Sequence, residues 1–444
     1  MKLFAVVFLA ASAALAQQRR DPRVEAVVQR IDAGRMQGTV KRLVGFGTRH
    51  TFSGTQAPGR GIVPAREWLA AELAALAKGS RLKPFEDRFV AQPDGKRVRE
   101  PVEIVNVGAI LPGTDAARAN KAIVMTGHYD SRASDVMDAK TDAPGAVDDG
   151  SGTAMALELA NALRDQSPAV SIYFVAVAGE EQGLIGSQHL SSRLKAEGVD
   201  VIAMVSVDIA GNSEGEDGVR DSTAARLFSQ GVPENESEAQ KKLRLEVGNE
   251  NDSPAREWAR YVQRVGELYV EGLQLRVLLR RDRIARGSDH MSFAREGFPA
   301  IRWTEARENY RGQHQTPRTE NGVRYGDELS RFDAAYAGRM CKSLAAALTS
   351  LSLSPAAPAE LTLAGAVSAD AKLRWKLPAD SRIADVVLYR RPADSVVWQK
   401  AVSLGKVSEV TVPSLTTDDW FFAVATADAA GNESIAQAPS AVGR

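Results

Sequence analysis

The sequence predicts an α/β fold, a mixed and mostly parallel sheet flanked by helices, followed by a small C-terminal all-β sandwich. Three observations lead there. "KAIVMTG", "VSIYFVAVAG", "VIAMVSVDIAG" and "FPAIRWTE" are continuous apolar runs, the pattern of strands buried on both faces. Amphipathic stretches separate these runs between about residues 20 and 350. Beyond "SLSLSPAAPAE" the runs become short and β-like, divided by turn residues.

A chain of 444 residues is long enough for two or three domains. The boundaries read as 1–16, 17–353 and 357–444. The first segment, "MKLFAVVFLAASAALAQ", has an early Lys, an apolar stretch and small residues at Ala14 and Ala16, so it reads as a signal peptide cut after Ala16. It is short for a membrane span, which needs about 20 apolar residues, and no later segment is apolar enough to span. Export to a periplasm or the outside is the expected destination, without stable membrane insertion after cleavage.

In the central segment, "TAMALELANALRD" carries Met155, Leu159, Ala162 and Leu163 on one helical face, and "GSQHLSSRLKAEG" ends at a helix-stopping Gly. The stretch from Asn212 to Ser253, rich in Glu, Gly, Ser and Asn, reads as a mostly exposed insertion that interrupts the sheet and supplies part of the substrate pocket. "EWARYVQRVGELYVEGL" returns to helical spacing. The single cysteine, Cys341, excludes an intramolecular disulfide and reads as a buried structural thiol in a helix. The tail runs "AKLRWKL", "VVLYRRP" and "WFFAVATADAAGNES" resemble a fibronectin type III module, a spacer or a binder of a surface or polymer.

Charge excludes one partner class. The 56 Lys plus Arg equal the 56 Asp plus Glu, so no net field draws the chain to nucleic acid.

Chemistry concentrates where the apolar runs end. His128 and Asp130 follow the first run, Glu180 and Glu181 the second, Asp208 the third, and His314 the fourth; Asp148 and Asp149 follow a Gly-containing loop. Loops at the carboxyl ends of neighbouring parallel strands converge on one crevice, so these side chains can meet. Two imidazoles with several carboxylates suit Zn²⁺. Five such groups exceed one tetrahedral site, and one carboxylate shared between two ions would serve both. The adjacent pair Glu180–Glu181 can divide its work, one side chain on metal and the other on a water proton.

"GHYDS", "PGAVDDGSGTAMALELA", "AGEEQGLIGS", "VSVDIAGN", "GSDHMSF" and "HQTP", in that order across residues 40–350, resemble the zinc-dependent exopeptidases related to bacterial leucyl aminopeptidase, glutamate carboxypeptidase and glutaminyl cyclase. The resemblance implies a phosphorylase/hydrolase-like sheet, two Zn²⁺ and peptide or protein substrates. It makes Asp148 the bridging carboxylate, His128 and Asp208 the remaining ligands of one ion, and Glu181 and His314 those of the other. Glu180 would be the general base, Asp130 the partner that orients His128, and Asp149 a neighbour of the bridge rather than a ligand.

Two departures from that family stand out. No Asp follows His314 in a His-Thr-x-x-Asp pattern, and where some members carry a Tyr shortly before the "SDH" motif this chain reads "RRDRIARGSDH", with Arg283 and Arg286 nearby. These arginines read as loop anchors, with charge supplied to an oxyanion or substrate carboxylate as the alternative. His290 and His50 read as structural or site-lining, and His189 as an ordinary helix residue. The implied activity is a two-zinc aminopeptidase; a glutaminyl cyclase, a carboxypeptidase and a non-catalytic binding protein are the alternatives.

Overall fold

The computed structural model describes residues 19–54 and 57–443; the expected signal peptide, 1–16, lies outside the described residues. Eight strands form the central sheet: β1 (Lys83–Ala91), β2 (Val102–Leu111), β3 (Lys121–His128), β4 (Ser171–Val177), β5 (Asp200–Val207), β6 (Ala224–Ser229), β7 (Gln274–Leu278) and β8 (Ala300–Glu305). Their order is β1-β2-β4-β3-β5-β8-β6-β7. The middle strands β4, β3, β5 and β8 run parallel, while β1, β2 and β6 pair antiparallel to their inner neighbours. The four continuous apolar runs are these four parallel strands, because only a strand covered on both faces can be apolar at every position.

The helices are α1 (Pro22–Arg30), α2 (Ala33–Val44), α3 (Ile62–Ala77), α4 (Gly150–Leu163), α5 (Ile185–Ala196), α6 (Glu238–Val247), α7 (Pro254–Tyr269), α8 (His290–Arg295) and α9 (Ala334–Leu353). Several starts are written locally: Asp32, Asp149, Ser253 and Asp333 cap α2, α4, α7 and α9 with side-chain oxygens on backbone N–H groups. Helix α4 is buried along nearly its whole length, against β3 on one side and α2 and α9 on the other. It is the pillar on which the site is mounted. Among the described residues no helix is long and apolar enough to cross a membrane.

The segment 212–253, expected as an exposed insertion, is instead part of the sheet: it contributes β6, a buried strand paired antiparallel with β8 and parallel with β7. Its apolar run is short and interrupted by Arg226, whose guanidinium donates to the Glu305 carbonyl and to Glu308.

Beyond a short hairpin of β9 (Arg318–Glu320) and β10 (Val323–Tyr325), the C-terminal strands are β11 (Ala359–Ala364), β12 (Ala371–Lys376), β13 (Asp385–Pro392), β14 (Lys400–Ser403), β15 (Glu409–Val412), β16 (Trp420–Ala427) and β17 (Ala441–Val442). They form two sheets, β15-β12-β11-β17 and β14-β13-β16. Leu373, Trp375 and Val412 of the first share one core with Leu388, Phe422 and Val424 of the second, the face-to-face arrangement of a sandwich. Strand β12 alternates buried and exposed residues, as a sheet with one wet face requires.

The sandwich is tied to α7 through buried charge. Arg391 donates to both oxygens of Asp252 at 2.8 and 2.7 Å, and Arg260 donates to Asp252 at 3.0 Å. Glu257, ion-paired with Arg260, accepts from the Trp398 indole at 2.9 Å.

Candidate metal centre

Apart from Asp148, the expected site residues stand at the carboxyl end of a parallel strand or in the loop after it. His128 is the last residue of β3, Glu180 and Glu181 follow β4, Asp208 follows β5, and His314 lies in the loop after β8. Asp148 precedes α4, whose N-terminus abuts β3 and β5 so closely that a Cβ on Gly127 would collide with the backbone of Gly152 and Thr153, and one on Gly152 with the Val207 carbonyl. Those two glycines are what the approach requires.

The side chains do meet. Asp148 turns one oxygen to each imidazole: Oδ1 lies 3.2 Å from His128 Nε2 and Oδ2 lies 3.0 Å from His314 Nε2. Glu181 Oε1 is 3.2 Å from His314 Nε2, and Asp208 Oδ1 is 3.9 Å from His128 Nε2. Two groups could each hold an ion, His128 with Glu180 and Asp208, and Asp148 with Glu181 and His314, the donor atoms of each group lying within 4.8 Å of one another. Glu180 is therefore as near to His128 and Asp208 as a ligand would be.

Asp130 connects the parts. Its carboxylate lies 3.5 Å from His128 Nδ1 and accepts the backbone N–H groups of Glu180 and Glu181 at 3.3 and 3.1 Å. Asp130 thus sets both the ring, whose Nδ1 also lies 3.2 Å from its backbone carbonyl, and the Glu pair. Asp149 points elsewhere. Its oxygens accept from the backbone N–H groups of His128, Gly152 and Ile209 and from the Ser151 hydroxyl, joining β3, α4 and the loop after β5. The Asp148–Asp149 peptide is cis. Ile209 and His314 adopt left-handed backbone at φ 64° and 54°, which costs of order 1–3 kcal/mol at a non-Gly residue and clusters at functional sites.

The donor set fits a dication. His128 Nε2 and Glu181 Oε1 are buried without a hydrogen-bond partner, a state that is expensive unless something else satisfies them. The carboxylates call for positive charge: burial disfavours an imidazolium at His314, yet Glu181 and Asp148 push its pKa up to about 10. Burial, with Glu181, Asp208 and Asp289 nearby, holds the Glu180 carboxyl well above the usual range. Mixed imidazole and carboxylate donors are what zinc takes.

Several residues escaped sequence reasoning. Arg302, fully buried on β8, donates to the Asp208 carbonyl at 3.2 Å and lies 3.1 Å from its Oδ1. A charge inside a doubly covered strand was the available signal, since such a group is almost never buried unpaired. Asp327 accepts the backbone N–H groups of Val147 and Asp148, steadying the ligand loop, and burial pushes its pKa up to about 7. Nothing local marked it. Glu308 receives Arg226, Arg283 and Arg286, so the two loop arginines are anchored as expected.

The remaining histidines have structural settings. His290 Nε2 lies 3.0 Å from the Arg281 carbonyl and His50 Nε2 lies 2.8 Å from the Val136 carbonyl. His189 stacks on Phe89 and pairs with Asp87. Cys341 is free and buried, as expected.

A cleft of about 620 Å³ opens on Asp148, Glu180, Glu181, Asp208 and His314. Its wall comes largely from the segment 280–287 and takes nothing from 212–253, contrary to the expectation for that segment.

Residues 106–325 match the model of peptidase family M28. A probable zinc metalloprotease of Leptosphaeria maculans is 42% identical over 407 residues, covering 91% of this chain and 94% of the relative. One from Pyrenophora teres f. teres is 40% identical over 414 residues, covering 92% and 85%. Among solved structures, the LapA aminopeptidase of Legionella pneumophila aligns with a TM-score of 0.52 at 18% identity, covering 78% of this chain and 77% of that one. A leucine aminopeptidase precursor from Bacteroides thetaiotaomicron aligns at 0.50 and 16%, covering 72% and 97%. Relatives and donor set together define a zinc metallopeptidase. The chain belongs to peptidase family M28.

Proposed function

We propose that this protein is an exported two-zinc aminopeptidase that removes the N-terminal residue of short peptides. The observation that carries the two-ion reading is Asp148, with one oxygen toward His128 and the other toward His314. His128, Asp148 and Asp208 would hold one ion, and Asp148, Glu181 and His314 the other. When bound, Zn²⁺ supplies Lewis-acid polarisation of the scissile carbonyl and lowers the pKa of water. The cleft has the size of a small-ligand pocket, which favours a short substrate over a folded chain.

The protein's own groups do the rest. Glu180, assigned no ion because Asp148 already serves both imidazoles, takes a proton from the attacking water and delivers it to the leaving amine, general-base and then general-acid work. Asp130 orients His128 through Nδ1 and fixes the backbone from which Glu180 projects.

The test is mass spectrometry of products from free, N-acetylated and N-terminal Gln peptides, with and without chelator. Stepwise N-terminal loss from free peptides alone, abolished by chelator, is expected, together with two zinc ions per chain. Loss of ammonia from the Gln peptide with every peptide bond intact would replace the reading with a cyclase. Glu180→Gln keeps its zinc and loses at least about a hundredfold in kcat, the usual contribution of a general base; full turnover in that variant removes Glu180 from the mechanism. Sequencing of protein recovered outside the cytoplasm should begin at Gln17.

A further inference from the structure

The cleft carries more positive charge than peptide hydrolysis requires. Arg97, Arg132, Arg280, Arg281, Arg283 and Arg286 line it. Four of its five acidic lining residues, Asp148, Glu180, Glu181 and Asp208, belong to the imidazole–carboxylate assembly, and the fifth, Asp282, is taken by Arg283 at 3.0 Å and by Arg302 at 3.4 Å. Behind the wall, Glu308 alone receives three guanidiniums, Arg226 at 2.9 Å, Arg283 at 2.9 Å and Arg286 at 2.7 Å. One carboxylate cannot neutralise three such groups. Arg281 is paired with Glu234. Arg280 is exposed and, among the described residues, its side chain makes no hydrogen bond or ion pair.

The apolar part of the wall is thin, limited among the described residues to Leu184, Ile209, Ala285 and Met291 with two glycines, and holds no Phe, Tyr or Trp. A bulky apolar residue of a substrate gains from apolar walls and loses where it strips water from guanidiniums. A carboxylate gains a charge-assisted, bidentate hydrogen bond in the same place.

We propose that the cleft recognises a substrate carboxylate close to the scissile bond, with Arg280 as its principal partner and Arg286 beside it. This rests on the aminopeptidase reading and names its substrate class: short peptides bearing either an acidic side chain or a nearby C-terminal carboxylate. Because Arg280 and Arg286 both lie on one short segment, 280–287, the preference is a property of that loop rather than of the hydrolytic groups.

The experiment is steady-state kinetics of the zinc-loaded full chain on isosteric pairs. One arm compares a free tripeptide acid with its C-terminal amide, and the other compares Glu with Gln at the first and second positions of amidated peptides. At least a tenfold higher kcat/KM for the acid is expected in one arm, expressed in KM and shrinking as salt is raised; which arm shows it identifies the source of the carboxylate. Arg280→Gln should bring the acid-to-amide ratio toward one, Arg280→Lys should restore part of it, and Arg307→Gln, away from the cleft, should leave it unchanged. Ratios within twofold in both arms, on an enzyme that cuts the peptides, overturn the proposal while the aminopeptidase reading stands. If no peptide is cut, the aminopeptidase reading fails. Calorimetric binding of the acid and amide tripeptides to Glu180→Gln then decides the carboxylate proposal, and equal Kd values overturn it.

Discussion

Arg302 Nη2 lies 3.1 Å from Asp208 Oδ1, with both side chains buried, so a ligand-type carboxylate of the site is held from behind by a guanidinium on the neighbouring strand. The same arginine reaches Asp282 through Nη1 at 3.4 Å. It therefore ties the carboxyl end of β5 to the loop that walls the cleft. Removing one partner of a buried pair leaves the other charge uncompensated, at a cost of about 3–5 kcal/mol. Arg302→Met should lower the melting temperature by several degrees and reduce zinc per chain, whereas Arg302→Lys should recover part of both. Zinc content equal to wild type in a folded Arg302→Met would show that Asp208 needs no such support.

Asp149 serves geometry rather than ions. Its Oδ2 accepts the His128 N–H and its Oδ1 accepts from Gly152, Ser151 and Ile209. Each buried donor left unpaired costs about 1–3 kcal/mol. Asp149→Ala is expected to destabilise by at least about 3 kcal/mol in denaturant unfolding. Asp149→Asn should also be harmful, because its amide would aim a donor at the His128 or Gly152 N–H. A neutral Asn variant would refute this accounting of Asp149.

The C-terminal sandwich is expected to be a structural part of the enzyme. Asp252 receives both Arg260 and Arg391 from opposite sides of the contact between α7 and β13. Asp252→Ala leaves the buried Arg391 guanidinium without a carboxylate and Arg260 with Glu257 alone, and a loss of about 3–5 kcal/mol follows. One unfolding transition should move as a whole. A variant in which the sandwich melts early while peptidase activity persists would show the two parts to be independent.

Glu257 gives that contact a pH dependence. Burial raises its pKa above the ordinary 4.5, against the lowering effect of Arg260. A raised carboxyl pKa means that the folded state binds the proton more tightly, so this contribution is fully present below pH 4.5 and is lost as pH rises through the folded value. The melting temperature of wild type relative to Glu257→Gln should therefore improve on going from pH 8 to pH 5. A difference that stays constant, or grows toward pH 8, would contradict the assignment.

The parallel centre of the sheet and the positions from which the site is built are legible in the residue pattern alone. Strands β3, β4, β5 and β8 are legible because two-sided burial forces unbroken apolar runs, and His128, Glu181 and Asp208 are legible because polar residues ending such runs fall at one edge. Strand β6 was hidden, since its short run with Arg226 makes sense only once β8 and Glu308 are beside it. Which carboxylate faces both imidazoles, which arginine stands behind Asp208, and which guanidiniums are left to face the cleft emerge only when the strands are assembled. Those outcomes depend on groups far apart along the chain, as with Asp148 and His314 or Arg302 and Asp208. Electrostatic pairing acts through space and leaves no periodicity along the chain, whereas burial of a strand writes its pattern residue by residue.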